Sequence, residues 1–444
     1  MPGRWALILL AALPLAPAPA PAHTCRTLVV AKAGVPGAAA TSVQAAVDEA
    51  TPCDSILVAP GVYPGSVVVR TPHLRLRGLA RNRVVLDGAH RVGNGIRIVA
   101  DDVAIENLTV RNFDRATRND DEHGTQVWWD GVRGWHGSYL TVYDTGPLGG
   151  YGLYARGGAG GGWDHVYASG FDDSGLYVGA CRDCRATVSR AVAERNAVGY
   201  AGSNSGGHLL VEHSRFEDNA VGLSVNSTES DAPPPQLGTC DAGANRSATP
   251  TIASTRIAHC TIFRQNRIVA NNNLSVPSNT SSARPGWGIG IALLGAYGDL
   301  FAENVVARNR NVGILALEFP YARPARPHPV RFQLAGNRFE RNRLSGSSLD
   351  VALEGGLFGS RQSVNNCFSA NHYTSSLPRD LRPFACERET TPNAGESVSR
   401  QILALVQRLH DAFAARHPRG QPAPPSQPSM PRPCRGLPPN RLCG

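Results

Sequence analysis

The chain has 444 residues, of which 42% are apolar and 18% charged, with 47 Gly and 33 Pro. This composition excludes a coiled coil, a charge-driven disordered chain and a helical enzyme built from Ala, Leu, Glu and Lys. The net charge of +9 comes from scattered arginines, since Lys32 is the only lysine and no basic run is present. We therefore expect no nucleic acid partner.

The first 22 residues have the pattern of a secretory signal peptide. Arg4 precedes an apolar run over residues 5–13, and small residues at 20–22 resemble a cleavage site. No later stretch reaches the ~18 apolar residues that a membrane span needs. We therefore expect residues 1–22 to be removed and the protein to be secreted, extracellular, monomeric and without a membrane span.

A short helix is predicted over residues 41–50, with Thr41 or Ser42 as its N-cap. This helix precedes a long region of short strand-like segments. Its expected role is to cover the open end of the array that those segments form.

The middle of the chain is an array of repeats about 23 residues long. The tetrapeptide at residues 196–199, Asn-Ala-Val-Gly, recurs letter for letter at residues 219–222. Each unit has two short runs of β-branched or aromatic residues, a turn and an Asn, which is too little for a pair of helices. The pattern predicts one parallel β-solenoid of about ten coils. Asn residues at the coil corners are expected to adopt the left-handed backbone conformation, and their side-chain amides to form hydrogen bonds from coil to coil.

This array resembles the right-handed parallel β-helix repeat proteins exported by actinobacteria, a branch of the superfamily of pectate lyases, polygalacturonases and alginate epimerases. The segments that carry the resemblance are residues 54–63, 74–78, 85–88, 95–112, 151–154, 173–179 and 313–318. The resemblance implies an all-β fold, a single-stranded right-handed parallel β-helix over residues 23–386. It also implies a substrate groove along one strand face and action on polysaccharide.

Two segments follow the predicted β-helix. Residues 387–417 are predicted to contain a C-terminal helix, because apolar side chains recur at helical spacing from Val398 to Phe413. Residues 418–444 are rich in Pro and are predicted to form a flexible tail with a small disulfide loop.

Ten cysteines in an exported chain predict disulfides between neighbours in the sequence. The expected pairs are Cys25–Cys53, Cys181–Cys184, Cys240–Cys260, Cys367–Cys386 and Cys434–Cys443. For Cys181 and Cys184, half of a zinc site or a redox dithiol is the alternative.

Alternation along the strands predicts which side chains face outward. The residue after each repeat Gly is apolar and points into the core, so the next residue points out. On this reasoning an exposed stripe binds substrate, together with a Trp on the same face: the residues are Arg97, Trp129, Arg133, Tyr154 and Tyr177. Aromatic rings stack on sugars and Arg binds carboxylates, so the expected partner is an anionic polysaccharide. The alternative is that these side chains only pack on one another.

Acidic residues cluster near this predicted stripe. Asp120, Asp121 and Glu122 lie in a long insertion and are predicted to hold a cation, with Ca²⁺ as the expected cofactor, the alternative being a solvated acidic loop. The residues predicted to be catalytic are Asp172, Asp173, His165, Arg133 and Tyr177. His165 follows Asp164, but adjacent strand residues face opposite ways, so their direct pairing is not expected.

The motifs leave two functions open. Of the polygalacturonase motifs only an Asp-Asp pair is present, at residues 172–173, and residues 121–123 read Asp-Glu-His where epimerases have Asp-Pro-His-Glu. One hypothesis is an acidic-polysaccharide lyase or epimerase, in which Arg neutralises the uronate carboxylate and Tyr or His removes a proton. The alternative is a non-catalytic carbohydrate-binding or cell-surface β-helix protein.

Overall fold

The computed structural model describes residues 24–443 except 36, 115–123, 182, 228–250, 253–256, 259–260, 278–285, 322–329, 333 and 356–363. The predicted signal peptide lies outside the described residues. No helix among the described residues is long and apolar enough to cross a membrane.

The described chain winds into coils, each of which passes through three parallel sheets in the order A, B, C. Strands are numbered along the chain. Sheet A has twelve strands: β1 (Thr27–Val30), β2 (Ser55–Val58), β5 (Arg75–Gly78), β8 (Ala104–Glu106), β11 (His136–Ser138), β14 (Gly161–Asp164), β17 (Ala186–Ser189), β20 (Leu209–Glu212), β25 (Thr261–Arg264), β28 (Leu300–Ala302), β33 (Arg338–Glu340) and β36 (Cys367–Ser369).

Sheet B has ten strands: β3 (Gly61–Pro64), β6 (Val84–Asp87), β9 (Thr109–Arg111), β12 (Thr141–Tyr143), β15 (Tyr167–Ser169), β18 (Val192–Glu194), β21 (Arg215–Glu217), β26 (Arg267–Val269), β29 (Val305–Ala307) and β34 (Arg343–Ser345). Sheet C has eleven strands: β4 (Val67–Val69), β7 (Ile96–Ile98), β10 (Thr125–Asp130), β13 (Tyr151–Arg156), β16 (Ser174–Gly179), β19 (Val198–Ser203), β22 (Val221–Asn226), β27 (Ile289–Leu294), β30 (Val312–Leu317), β35 (Leu349–Leu353) and β37 (Ser376–Leu377). Two antiparallel pairs project from the coils: β23 (Thr251–Ile252) with β24 (Ile257–Ala258), and β31 (Phe319–Tyr321) with β32 (Val330–Phe332).

The three sheets confirm the predicted all-β parallel β-helix. Each strand pairs in parallel with the strand one coil away, as β10 does with β7 and β13. Inward side chains stack along the axis, and four phenylalanine rings lie 4.7 to 5.3 Å apart in successive coils: Phe263, Phe301, Phe339 and Phe368. This stacking of identical side chains stabilises the array of coils, because each coil buries the apolar surface of the next.

Asparagine ladders also stabilise the corners, as predicted. Along the A-to-B corner, Asn266 donates to Asn304, Asn304 to Asn342, and Asn342 to Asn371, at 2.9 to 3.1 Å. The left-handed residues are not these Asn but the residues directly before them, for example Gln265 with φ 54°. The ladder side chains therefore point inward and satisfy buried carbonyls, while the preceding residue turns the corner.

Helix α1 (Val43–Glu49) caps the first coil, as predicted. The Ser42 hydroxyl accepts a hydrogen bond from the Ala45 amide at 3.2 Å, which identifies Ser42 as the N-cap. Val43, Ala46 and Val47 are buried against the first strands. Apolar coil residues that would otherwise meet water are thereby covered.

Helix α2 (Glu396–Ala414) is shorter than the predicted segment 387–417 and packs on the outer face of sheet C. Ile402, Leu409 and Phe413 are buried in a second hydrophobic cluster that lies outside the coils and includes outward residues of sheet C. The Ser399 hydroxyl donates to the Glu354 carboxylate at 2.9 Å, which attaches the start of α2 to the end of β35.

Residues 415–443, which we call the strap, follow α2 and run back along the solenoid toward its first coil. Three contacts mark this path: the Ser275 carbonyl accepts from Gln421 at 2.8 Å, the Pro428 carbonyl from Arg81 at 2.9 Å, and the Pro438 carbonyl from Thr27 at 2.9 Å. The prediction of a flexible tail is therefore wrong. Proline removes amide donors but leaves every carbonyl free to accept, and buried Arg side chains supply the donors.

Four predicted disulfides are confirmed: Cys25–Cys53, Cys181–Cys184, Cys367–Cys386 and Cys434–Cys443. The bond between Cys181 and Cys184 excludes the zinc alternative, which needs two thiolates. The pair Cys240–Cys260 lies outside the described residues and stays a prediction.

Candidate functional site

The predicted stripe exists on sheet C, with one change of residue. Arg97 pairs with Trp128, Trp128 with Tyr154, and Tyr154 with Tyr177, so these four residues occupy one position in four successive coils. Trp128 takes the place that the sequence analysis gave to Arg133. The stripe is therefore one Arg followed by three aromatic residues.

The error at Arg133 has a local cause. Val127 pairs with Ile96, which puts Gln126 where a repeat Gly was expected. Gly131, which was taken as that Gly, lies after the end of β10 and has φ 67°. Arg133 consequently lies exposed in the turn before β11 and does not face the stripe.

Trp129 was also placed on the wrong face. It is 1% exposed and points into the coils, where its ring lies 6.1 Å from that of Trp135 and 5.9 Å from that of Trp163. The shifted register explains this error too, because a one-residue change moves a side chain to the opposite face. Trp129 is a core residue and cannot contact a substrate on sheet C.

The aromatic part of the stripe faces outward but is not exposed. Trp128, Tyr154 and Tyr177 are 6%, 3% and 4% exposed and belong to the same cluster as Phe413 of α2. Their rings pack on one another, with centroids 6.0 Å and 4.5 Å apart. The expected open aromatic groove is therefore wrong in this structure, and mutual packing, the alternative interpretation, describes these side chains better.

Arg97 is the exposed member of the stripe. Its guanidinium lies 4.3 Å from the Trp128 ring centroid and forms an ion pair with Asp130 at 2.6 Å. A flat cation held on an aromatic face at the surface is suited to binding a carboxylate.

Acidic residues line the corner between sheets B and C, one coil after another. The carboxylate corner consists of Asp114, Asp144, Asp172 and Asp173, each at most 7% exposed. Asp114 and Asp144 lie shortly after β9 and β12, and the other two directly precede β16. Of these, only Asp172 and Asp173 were predicted to be catalytic, since the spacing of Asp114 and Asp144 depends on loops of unequal length.

Burial raises the pKa of two of these carboxyl groups to near or above neutral pH. Burial, followed by the nearby charge of Asp114, raises the pKa of Asp144 to about 7. Burial, followed by the charges of Asp173 and Asp144, raises the pKa of Asp172 to about 8. Like charges this close cannot all ionise, so the corner holds protons that can be donated.

Tyr151 connects the carboxylate corner to the stripe. Its hydroxyl donates to Asp173 at 3.0 Å, and its ring lies 4.3 Å from Tyr154 and 5.7 Å from Tyr177. Burial and the Asp173 carboxylate raise the pKa of the Tyr151 hydroxyl well above its usual range. No role was predicted for Tyr151 from the sequence. The feature that could have identified it is its position directly before the repeat glycine Gly152.

His165 lies away from this site. It occupies the turn between β14 and β15, separated from Asp172 by the whole of β15. Its Nδ1 lies 2.7 Å from the Asp164 carboxylate, a pairing that strand alternation did not predict. The reason is that His165 has φ 55°, which breaks the alternation. The structure thus does not bring His165 together with Asp172 and Asp173.

Asp120, Asp121 and Glu122 lie outside the described residues, so a Ca²⁺ site there stays a prediction. Among the described residues, the group of three or more potential ligands that could hold a metal ion is His90, Asp114 and Asp144.

No protein-family model matches the chain, and no curated protein matches it either. Solved structures do resemble it. The A-module of a mannuronan C-5 epimerase from Azotobacter vinelandii has a TM-score of 0.43 at 14% identity, covering 75% of this chain and 92% of that one. An alginate lyase from Paenibacillus sp. str. FPU-7 has a TM-score of 0.40 at 14% identity, covering 79% and 96%. A pectate lyase has a TM-score of 0.42 at 12% identity, covering 80% and 78%.

At such TM-scores and identities these likenesses do not assign an activity to this chain. Its own three parallel sheets define the chain as a parallel β-helix protein.

Proposed function

We propose that this protein is a secreted enzyme that acts on acidic polysaccharide, as a lyase or an epimerase, at the carboxylate corner. The observation that carries the proposal is the hydrogen bond from Tyr151 to Asp173, beside a second buried carboxyl group, Asp172. Together they form a compact set of groups that can take up and release protons.

Both reactions start by removing a proton next to a uronate carboxylate, which needs a base and a group that neutralises the carboxylate. Asp173 accepts a hydrogen bond from Tyr151 and is suited to be the base. Neutral Asp172 can donate a hydrogen bond to the substrate carboxylate, as protonated acids in apolar sites do. Tyr151 lies 3.0 Å from Asp173 and therefore on the same side of the sugar, where it can deliver a proton to the leaving oxygen, the step of a lyase.

The remaining residues have supporting roles in this proposal. Arg97 contacts a neighbouring carboxylate of the polymer from the exposed end of the stripe. Tyr154 and Tyr177 hold Tyr151 in place by ring contacts, and become sugar-stacking surfaces only if their cover moves. Ca²⁺ bound by the acidic insertion would help to neutralise the substrate.

One observation favours a second function, a non-catalytic carbohydrate-binding or cell-surface protein. The face that would form the groove is packed against α2, and Tyr177 is only 4% exposed. A protein whose groove is permanently covered would bind glycans along its outer edges without changing them.

The test is to incubate the protein with pectate, alginate and other uronate polymers, with and without Ca²⁺. A lyase gives an unsaturated product seen by ultraviolet absorbance, and an epimerase changes the proton NMR spectrum of the polymer. We expect Asp172→Asn and Asp173→Asn to lower the rate by about 100-fold or more. The control is Asp164→Asn, which removes a carboxylate on a different turn and should leave the rate unchanged.

Two results would decide against this proposal. If polymers are retarded in an affinity gel but never altered, the binding protein is the correct class. If both Asp variants act as fast as the parent, the reaction occurs elsewhere on the molecule.

A further inference from the structure

A possible ligand set lies at the outer end of the carboxylate corner. His90, Asp114 and Asp144 follow β6, β9 and β12, three successive strands of sheet B, so the coils stack them at one corner. His90 Nδ1 lies 2.7 Å from Asp114 Oδ2, and one ligand atom from each residue lies within 4.8 Å of the others. An ion between them could reach all three.

Asp144 is the unusual member of this set. It is fully buried, and its Oδ1 accepts from the Gly146 amide at 2.6 Å. Its Oδ2 is buried without a hydrogen-bond partner in the described part of the chain. Leaving a buried carboxylate oxygen without a partner is costly, and a cation that binds both oxygens of Asp144 would satisfy it.

Gly146 keeps open the space between the three ligand atoms. A methyl group on Gly146 would come 2.4 Å from Asp114 Oδ2 and 3.1 Å from both Asp144 Oδ1 and His90 Nδ1. The three side-chain atoms therefore pack around Gly146, and only a residue without Cβ lets them stay this close together.

Two other His–Asp pairs serve as a comparison within the same molecule. His165–Asp164 and His208–Asp183 have the same 2.7 Å contact. In both, the carboxylate also binds an Arg, Arg190 or Arg185, which supplies its positive partner. The pair at His90 has a buried second carboxylate instead of an Arg, which is the arrangement that a cation would balance.

We infer that His90, Asp114 and Asp144 bind a divalent transition-metal ion of the Zn²⁺ or Mn²⁺ type. One imidazole nitrogen and two carboxylate oxygens suit such ions, whereas Ca²⁺ prefers ligand sets made only of oxygen. The strap lies beside the site, because a methyl group on Gly420 would come 2.0 Å from the Thr145 carbonyl. This inference does not depend on the proposed function.

The experiment uses the full chain, freed of metal with EDTA and dialysed, and titrated calorimetrically with Zn²⁺, Mn²⁺ and Ca²⁺. We expect one Zn²⁺ or Mn²⁺ per chain, bound more tightly than Ca²⁺. His90→Gln and Gly146→Ala should each weaken binding more than roughly tenfold, since even outer-shell changes cost 10- to 100-fold. His165→Gln, the matched control, should bind as the parent does.

His90 is partly exposed, so its variant should fold, and a thermal melt of each variant checks this. The inference is overturned if the parent binds no transition metal, or if His90→Gln and His165→Gln bind equally well. Tighter binding of Ca²⁺ than of Zn²⁺ and Mn²⁺ would overturn the assignment of the ion.

Discussion

Two carboxyl groups of the carboxylate corner make the stability of the fold depend on pH. Asp144 and Asp172 titrate near 7 and 8 in the native protein, against an ordinary value of 3.8. Between these values the native state holds protons that the unfolded chain has lost. Its stability therefore falls as pH rises from about 4 to about 8, which is the opposite of the usual effect of an ion-paired Asp.

We predict that the free energy of unfolding, measured with urea in EDTA, is lower at about pH 8 than at about pH 5 by a few kcal/mol, since each pKa unit is worth about 1.4 kcal/mol. Asp172→Asn should remove much of this difference, because the amide is neutral at both pH values. Asp164→Asn should leave the difference intact. Stability that stays level or rises over this range would contradict the raised pKa values.

At the scale of elements, α2 determines whether sheet C can be reached. Its buried side chains join the cluster that contains the aromatic stripe, so a site on sheet C and the docking of α2 compete for one surface. An enzyme working there must open this contact or admit substrate at the carboxylate corner, whose Asp side chains are themselves buried.

We predict that Ile402→Asp releases α2 from sheet C, because it puts a charge at a fully buried position. Hydrogen exchange should then speed up over residues 396–414, while the coils keep their protection. Leu403→Asp is the matched control: Leu403 is 45% exposed on the same helix and its variant should exchange like the parent. Equal exchange in the two variants would show that α2 is not held by this face.

How far the sequence predicts the structure differs between elements. The strands, ladders and α2 follow from periodicity, because the same side chains recur each time the chain passes the same place. The predicted register of β10 was wrong, because an insertion precedes this strand and Gly131 is a turn residue and not the repeat glycine. The pairing of His165 with Asp164 was not predicted, because His165 has a left-handed backbone conformation and the alternation of side chains between the two strand faces stops there. The burial of Tyr154 could not be predicted, since the hydrophobic cluster that contains it includes residues of α2 more than 200 positions away.

At the scale of the whole molecule, the strap connects the two ends of the solenoid. Arg81 is the central contact: it is 2% exposed and donates to Thr141 and to the carbonyls of Leu140 and Pro428. Burial lowers the pKa of Arg81 to about 10, which still leaves it charged at neutral pH. One buried cation thus joins three separate parts of the chain.

We predict that Arg81→Met loosens the strap, because its carbonyl contacts lose a donor that an apolar side chain cannot replace. Limited proteolysis should cut between residues 418 and 433 faster than in the parent. The control is Arg83→Met, which alters an exposed Arg two positions away. Cleavage at the parent's rate in Arg81→Met would mean that the other strap contacts suffice.

The path of the strap also has a consequence for the newly made chain. Thr27 and Pro438 are hydrogen-bonded although 411 positions separate them. Coils contact mainly their neighbours, so they can form in order as the ribosome delivers them, whereas α2 and the strap arrive last. Until then the hydrophobic cluster on the outer face of sheet C lacks the side chains that α2 contributes to it. That interval is when the nascent protein is most prone to aggregate, and chaperones would be needed most.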